Sequence, residues 1–332
     1  VLELEVLTTT QTTRERFAIV CDSGCDLSKD FLAAARVICV PLVGRDALLD
    51  RRSAGNRTGT DLFKRLSGVR GKVQLESPPP GVGEFREVYE RLAKQGYRSI
   101  ISLHVSSAMR DVCSFATRAA AQVSSVDIHV IDSNCVSAQM ALVLARLVAD
   151  RDAGMDADHA AHRSVEVARA TRLLVIPAPG ALSERLKGGG RSALHKKVLG
   201  TADSLRTRAL GARRAFSVDK DGSVREFSRS TELSRLAGVI ARAMSTYARE
   251  VGPLTYVKVR SGVSVLLPII EKHLDTNEFD AECAGVLRTS PYTTMEMGVG
   301  AAGVAYVPTS LVLAQEARTL MGLDDSLEAD GG

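Results

Sequence analysis

The order in which strand-like and helix-like segments follow one another constrains this chain more than any other sequence feature. An apolar strand at Phe17–Cys21 precedes a helix near Leu27–Ala35 and a second strand at Val37–Val40. Strands at Ser99–Leu103 and Asp127–Ile131 are each followed by a helical pattern. Strands that alternate with helices across short connections form βαβ units, and such units build a parallel sheet covered by helices. The pattern therefore predicts an α/β fold.

The length of 332 residues predicts two domains, because a single hydrophobic core rarely organises so long a chain. We divide the sequence into a linker or tail at residues 1–15, an N-terminal α/β domain at 16–155, a C-terminal α/β domain at 156–308 and a C-terminal tail at 309–332. Both domains are expected to contain largely parallel sheets. In the second domain, Asp219-Lys-Asp-Gly222 lies between two short strand-like runs and predicts a β-hairpin.

The composition is that of a globular protein, with 45% hydrophobic and 25% charged residues. Basic residues exceed acidic ones by only four, aromatic residues make up 4% and Trp is absent, which argues against a nucleic-acid-binding surface. The sequence has no apolar run of the roughly 18–20 residues that a membrane span requires. Six dispersed cysteines, without zinc-ligand spacing, predict reduced thiols in the cytoplasm and no metal site.

Polar residues follow three of the predicted strands, at the edge where ligands bind in α/β sheets. Asp22-Ser23-Gly24 and Asp132-Ser133-Asn134 can cap the next helix or contact a ligand, and capping is the favoured interpretation. Ser106 and Ser107 can cap a helix at 107–122 or donate to an anion. The six histidines fit no Ser-His-Asp hydrolase signature.

Two glycine-rich segments are candidate anion-binding sites, and only the first has a suitable sequence context. Gly188-Gly-Gly-Arg191-Ser192 can form a nest of backbone N–H groups beside a guanidinium, which suits a carboxylate or phosphate, or it is a flexible surface turn. Gly298-Val-Gly300-Ala-Ala-Gly303 spells the GxGxxG pattern, but a strand follows it where a dinucleotide fingerprint needs a helix. We therefore do not expect dinucleotide binding.

Six stretches, taken in order, resemble the DegV family of bacterial fatty-acid-binding proteins. The similarity runs from about residue 17 to residue 308. The stretches are Val20–Leu27, Ser77–Phe85, Ile101–Ser107, Val130–Ser133, Leu186–Arg191 and Gly298–Val304.

The resemblance implies two α/β domains in the EDD fold, with a long-chain fatty acid in a tunnel between them. It also implies that the acyl carboxylate is presented to a separate ATP-dependent fatty acid kinase with a DhaK/DhaL-like subunit, which makes the acyl phosphate. By this resemblance the chain is cytoplasmic, is not itself an enzyme, needs no cofactor and leaves room for peripheral contact with a membrane.

Some of the family's site residues are kept in this sequence. The hydroxyl that holds the carboxylate in the family falls on Ser77, and the Arg linked to phosphorylation and kinase docking falls on Arg191. Ser106 and Ser107 belong to the same site by position. Ser77, Ser106, Ser107, Arg110, Arg191 and Glu296 are thus the predicted ligand-binding residues.

Other positions depart from the family. A second carboxylate-binding hydroxyl falls on Arg110, and a His falls on Glu296. A carboxylate about 4 Å from the ligand head costs on the order of 4 kcal/mol at an effective dielectric constant of 20. We therefore expect an Arg110–Glu296 ion pair that alters the head-group site. Two tunnel glycines fall on Gln139 and Ala141, whose added bulk predicts a short or closed tunnel.

Two alternatives remain open at this point. The chain can be a DegV-like domain that has lost lipid binding and serves as a structural or regulatory module, in a fusion or partnership with a kinase-like domain. It can also be an enzyme that uses Glu296 as an acid or base on another ligand. Open tunnel volume separates lipid binding from the first alternative, and a raised pKa of Glu296 beside a polar ligand favours the second.

Overall fold

The computed structural model describes residues 17–42, 80–179, 181, 211–276 and 279–322. The expectations for residues 1–15, for Ser77 and for the Gly188–Ser192 loop with Arg191 lie outside the described residues. The described residues form two α/β domains, as predicted.

The N-terminal domain is a four-stranded sheet in the order β2-β1-β3-β4, and every pair of neighbouring strands is parallel. Helices cover this sheet. Its elements are β1 (Ala18–Asp22), α1 (Lys29–Ala34), β2 (Val37–Val40), α2 (Val82–Lys94), β3 (Ser99–His104), α3 (Cys113–Ala120), β4 (Asp127–Asp132), α4 (Ala138–Asp152) and α5 (Ala157–Ala170).

Helical spacing of apolar residues explains how α2 packs on this sheet. Phe85, Tyr89 and Leu92 recur at intervals of four and three, so they share one face of the helix, and all three are buried. Each large side chain removed from water in this way contributes about 1.5–3 kcal/mol before entropy is counted. At the start of the helix, the Glu84 carboxylate accepts the Gly81 N–H at 2.9 Å.

The C-terminal domain is a six-stranded sheet in the order β7-β6-β5-β10-β8-β9. Its elements are β5 (Arg172–Ile176), β6 (Arg213–Val218), β7 (Val224–Ser230), α6 (Leu233–Val251), β8 (Leu254–Arg260), α7 (Leu266–Asp275), β9 (Ala281–Arg288), α8 (Pro291–Met297), β10 (Ala302–Pro308) and α9 (Ala314–Met321).

This second sheet is mixed, so the expectation of a largely parallel sheet is wrong for it. Only β8 and β9 pair in parallel, because α7 connects them as a βαβ crossover. The predicted hairpin forms between β6 and β7 and makes that pair antiparallel. Strand β10 then enters between β5 and β8 and runs antiparallel to both. Local alternation of strands and helices does not reveal this late insertion.

The Gly298–Gly303 pattern is explained by the close packing of β10. Gly298 and Gly300 lie in the turn before the strand with φ of +76° and +91°, a region that disfavours side chains. A Cβ on Gly303 would strike the Leu174 carbonyl of β5. As predicted, a strand rather than a helix follows the glycines.

One hydrophobic cluster runs through both domains, and α9 contributes to it. The C-terminal domain has a second cluster, between its sheet and the helices α6 and α7. The predicted tail at 309–332 includes this helix, which packs against α4 and β9. Arg146 of α4 pairs with Glu316 of α9 at 2.6 Å and with Asp150 at 2.8 Å. Within the described residues, no helix is both long and apolar enough to cross a bilayer.

Candidate functional site

The carboxylate of Asp22 joins the ends of the two central strands of the N-terminal sheet. Its Oδ1 accepts the Gly24 N–H at 2.9 Å, and its Oδ2 accepts the Val105 N–H at 2.9 Å. Nδ1 of His104 lies 3.1 Å from the same Oδ2. One fully buried side chain therefore fixes the loops that follow β1 and β3.

A chain of side-chain hydrogen bonds continues from His104 into the core. Nε2 of His104 lies 2.8 Å from Ser102 Oγ, and the Tyr89 hydroxyl donates to the same oxygen at 2.8 Å. The Phe85 ring meets the imidazole edge-on at 5.1 Å. Burial raises the pKa of Tyr89 to about 12, so this group stays a donor.

The sequence analysis missed this Ser102–His104–Asp22 arrangement, although Ser102 and His104 alternate on one face of β3. The order of contacts is that of a catalytic triad, but all three residues are fully buried, so Ser102 is not accessible to a substrate in this structure. The arrangement satisfies buried polar groups and fixes the site loops.

The polar side chains at the end of β4 form hydrogen bonds with the loops that follow β3 and β4. Asp132 accepts the N–H groups of Ser107 at 3.2 Å and Asn134 at 3.1 Å. Ser133 donates to the His104 carbonyl at 2.6 Å and accepts the Cys135 N–H at 3.1 Å. The polar residues at the ends of β1 and β4 thus organise loops. Asp22 caps only the short 3-10 turn Ser23–Cys25, whereas Ser28 caps α1 and Ser137 is the N-cap of α4, so the capping interpretation is wrong for these two helices.

Ser106 and Ser107 lie side by side at the end of β3 but face different surroundings. Ser106 is fully buried, and its hydroxyl donates to the Gly222 carbonyl of the β6–β7 turn at 3.5 Å. A Cβ on Gly222 would collide with that hydroxyl. Ser107 is exposed. The predicted ligand hydroxyl of Ser106 is therefore covered by the C-terminal domain in this structure.

Arg110 reaches across the domain boundary to α8. Its guanidinium lies over the Tyr292 ring, 5.6 Å from the centroid, which is within the range of a cation–π contact. Glu296 lies one helical turn beyond Tyr292 and is 5% exposed. Among the ion pairs of the described residues, an Arg110–Glu296 pair does not occur, so that prediction is wrong. The guanidinium lies instead against the tyrosine face.

Side chains of both domains line a partly open, apolar cavity of about 30 Å³ beside Arg110. This volume holds about two water molecules, whereas small-molecule pockets usually measure about 300–1,000 Å³. Its lining residues are Met109, Val136, Leu173, Val175, Val218, Val224, Tyr292, Thr293, Glu296 and Met297. The predicted site residue Glu296 thus belongs to the cavity wall.

Gln139 and Ala141 are not part of this lining, although they were expected to narrow the tunnel. Both are buried in the first turn of α4. Gln139 donates to the Thr171 carbonyl, just before β5, at 3.4 Å. Neither of these two positions borders the described cavity.

Asp26 was not singled out by the sequence analysis, yet it connects the domains. Its Oδ1 accepts the Thr293 hydroxyl at 2.6 Å and the Ser290 N–H at 2.8 Å. Burial raises the pKa of this carboxyl to about 6. The only local signal is a second acidic residue four positions after Asp22, because its partners lie more than 260 residues away.

One group of potential metal ligands lies within the described residues, at the amino end of β4. Nε2 of His129 is 3.2 Å from Asp127 and 3.5 Å from Asp158. The two carboxylates are 69% and 77% exposed. Exposed pairs of this kind contribute about 0–1 kcal/mol, and they lie at the opposite sheet edge from the cavity.

Comparison with known proteins gives a consistent family. A family model described as an uncharacterised protein of the DegV family matches residues 16–309. The DegV domain-containing protein SA1258 of Staphylococcus aureus (strain N315) is 23% identical over 286 residues, which cover 86% of this chain and 96% of that protein.

Solved structures show the same fold. A fatty-acid-binding DegV family protein from Thermus thermophilus superposes with a TM-score of 0.68 at 18% identity, covering 88% of this chain and 99% of the other. A stearic acid-binding protein from Eubacterium ventriosum gives 0.67 at 19% identity, covering 88% and 98%. The family model spans most of the sequence, and the solved structures superpose over both domains. The chain therefore belongs to the DegV family.

Proposed function

We propose that this protein binds a long-chain fatty acid between its two domains and presents the carboxylate to a separate ATP-dependent fatty acid kinase. Family membership supports lipid binding, as do solved relatives that bind fatty acids. The six cysteines are free thiols, which fits a reducing cytoplasm. The chain itself is proposed to perform no chemical step.

The observation that carries this proposal is the position of Arg110 beside an apolar interdomain cavity. Met109, the preceding residue, lines the cavity, and Tyr292 both lines it and lies under the guanidinium. Arg110 belongs to no ion pair among the described residues. A guanidinium donates two parallel hydrogen bonds to a carboxylate, while apolar side chains of both domains suit an acyl chain.

Arg110 sets the orientation that we propose for the ligand. Its guanidinium lies over Tyr292, which lines the cavity, and valines of β5, β6 and β7 supply apolar lining. The head is therefore placed toward Arg110, and the acyl chain toward these valines.

A second candidate function is favoured by the size of the cavity. The cavity between the described residues, about 30 Å³, is far below the volume of a lipid site. A DegV-like domain that has lost lipid binding, and acts as a structural or regulatory module, needs no larger cavity.

Native mass spectrometry followed by lipid extraction and identification separates these two functions. We expect one bound long-chain fatty acid per chain, either as purified or after incubation with palmitate and oleate. Replacement Arg110→Ala should weaken palmitate binding about 10- to 150-fold, because a charge-assisted hydrogen bond is worth about 1.5–3 kcal/mol.

The exposed Arg118 of α3 provides the matched control, and Arg118→Ala should leave palmitate affinity unchanged. Protein that stays empty after incubation with both acids rules out lipid binding and supports the module. For lipid-loaded protein, formation of acyl phosphate on addition of a fatty acid kinase and ATP tests the presentation step.

A further inference from the structure

The pairing of β1 with β2 brings together three of the six cysteines. Cys21, near the end of β1, is the in-register partner of Cys39 on β2. Paired residues of neighbouring parallel strands point to the same face of the sheet, and the strands lie about 4.8 Å apart. Cys25 belongs to the turn that follows β1. Strand pairing thus gathers cysteines that are scattered along the sequence.

The thiol of Cys21 contacts the other two sulfurs. It donates hydrogen bonds to Cys25 and to Cys39, and these bonds, together with burial, raise the pKa of Cys21 well above its usual value. The end of β2 is held beside the turn, because the Leu42 N–H donates to the Ser23 hydroxyl at 3.0 Å. Cys21, Cys25 and Cys39 therefore form one group, which we call the thiol cluster.

The members of the thiol cluster differ in exposure. Cys21 and Cys25 are fully buried, whereas Cys39 is half-buried. Because a cysteine must be accessible to its oxidant, Cys39 is the member that a small oxidant reaches first. The spacing of neighbouring strands falls within the roughly 4.4–6.8 Å that separate the Cα atoms of a disulfide, so Cys21 can join Cys39 without a large movement of the backbone.

The other three cysteines occupy other elements. Cys113 is the first residue of α3. Cys135 bonds to the Ala168 carbonyl, and Cys283 of β9 bonds to the Gly285 carbonyl, both at 3.8 Å. Cys113 and Cys283 are half-buried, as Cys39 is, so they serve as controls that match its exposure.

We propose that Cys39 is a peroxide-sensitive thiol and that Cys21 resolves its oxidised form, so that oxidation joins β1 to β2 by a disulfide. In the first step the O–O bond of hydrogen peroxide breaks, the Cys39 sulfur takes one oxygen as a sulfenic acid, and water leaves. In the second step the Cys21 sulfur attacks the Cys39 sulfur and the S–O bond breaks. The departing hydroxide takes the Cys21 proton, so two thiols lose two electrons and one peroxide gives two waters.

The place of this modification in the fold connects it with the candidate site. Cys21 directly precedes Asp22, whose carboxylate fixes the loops after β1 and β3. In a reducing compartment such a disulfide is transient and is reversed by thiol exchange. The proposed oxidation needs no bound lipid and is independent of the proposed lipid binding.

Thiol counting and peptide mapping of the full chain test this site. Reduced protein, freed of reductant, is treated with one equivalent of hydrogen peroxide, and the remaining thiols are blocked with N-ethylmaleimide in denaturant. We expect the number of free thiols to fall from six to four. Trypsin cuts after Lys29 and Arg36, so a disulfide between Cys21 and Cys39 links two peptides that are otherwise separate. Fragmentation of the linked pair distinguishes Cys21 from Cys25.

Single variants assign the two roles. Cys39→Ser should keep all five of its thiols, because the remaining members of the thiol cluster are buried. Cys113→Ser, the matched control, should still lose two thiols. In Cys21→Ala, the oxidised Cys39 should remain a sulfenic acid that dimedone captures. In Cys25→Ser, the disulfide should form as it does in wild type.

Several outcomes would overturn the proposal. They are retention of all six thiols in wild type, oxidation of Cys113 or Cys283 as readily as Cys39, and conversion of Cys39 to a sulfinic acid without a disulfide. The same cross-link to Cys39 in Cys21→Ala would also contradict it. If Cys21→Ala fails to fold, Cys39→Ser still decides, since loss of two thiols in that variant would mean that a disulfide forms without Cys39.

Discussion

His104 lies in the middle of the buried hydrogen-bond chain from Tyr89 to Asp22. Because Nδ1 faces the Asp22 carboxylate and Nε2 faces the Ser102 hydroxyl, both ring nitrogens are engaged inside the core. Asp22 in turn fixes the loops after β1 and β3. The residue therefore supports the candidate site without touching a ligand.

Replacement of this histidine tests its structural role. His104→Ala should lower the free energy of unfolding by about 2–4 kcal/mol, because it removes one buried hydrogen-bond partner each from Asp22 and Ser102 and opens a cavity. Urea denaturation measures the change. His162→Ala, at an exposed position of α5, should stay within about 0.5 kcal/mol of wild type. Equal stability of the two variants would show that the buried chain contributes little.

The β6–β7 hairpin is the element by which the C-terminal domain covers Ser106. Its turn residue Gly222 has φ of +74° and lies against the Ser106 hydroxyl. Two separate effects therefore oppose a side chain at position 222: backbone strain and a collision across the domain boundary.

A double-mutant cycle separates these effects. Gly222→Ala should cost about 1–3 kcal/mol of stability, or more if the collision cannot relax. Gly96→Ala measures the backbone part alone, since Gly96 has φ of +93° and open space around it. Gly222→Ala is expected to lose more stability than Gly96→Ala, because it adds the collision to the backbone strain. Adding Ser106→Gly to Gly222→Ala should recover that extra loss. Thermal denaturation of wild type, Gly222→Ala, Ser106→Gly and the double variant completes the cycle, with Gly96→Ala as the backbone control. Strict additivity would show that residue 222 and Ser106 do not interact.

Sequence patterns predicted the elements better than their long-range partners. The β6–β7 hairpin follows from Asp219-Lys-Asp-Gly222, and the parallel N-terminal sheet follows from alternation of strands and helices. The helix expected from Ser107 begins only at Cys113, because the Ser107 N–H bonds to Asp132, 25 residues away. Contacts of this length leave no local pattern.

The same reason limits what the sequence indicated about the candidate site. The resemblance to the family predicted that Arg110 and Glu296 lie near one ligand head. In the structure Glu296 belongs to α8, and Arg110 contacts Tyr292 of the same helix. Their partners, however, depend on the relative placement of the two domains. Asp26 and its bonds to Ser290 and Thr293 depend on it as well, so spacing along the chain could not reveal them.

At the scale of the whole molecule, α9 connects the two domains. Ala314, Ala317, Leu320 and Met321 are buried in the hydrophobic cluster that runs through both domains. The helix packs on α4 of the first domain and on β9 of the second. Since this one helix packs on both domains, we expect the domains to unfold together rather than one after the other.

Calorimetry of a core variant tests this coupling. Leu320→Ala removes a side chain that is 4% exposed, so it should cost about 2–5 kcal/mol and lower the temperature of a single transition. Leu313→Ala, at a position 51% exposed, should barely move it. If α9 served only one domain, Leu320→Ala would split the transition in two, with one part at the wild-type temperature. A single shifted transition would instead mean that a change in α9 lowers the stability of both domains together, including α8 and the cavity between the domains.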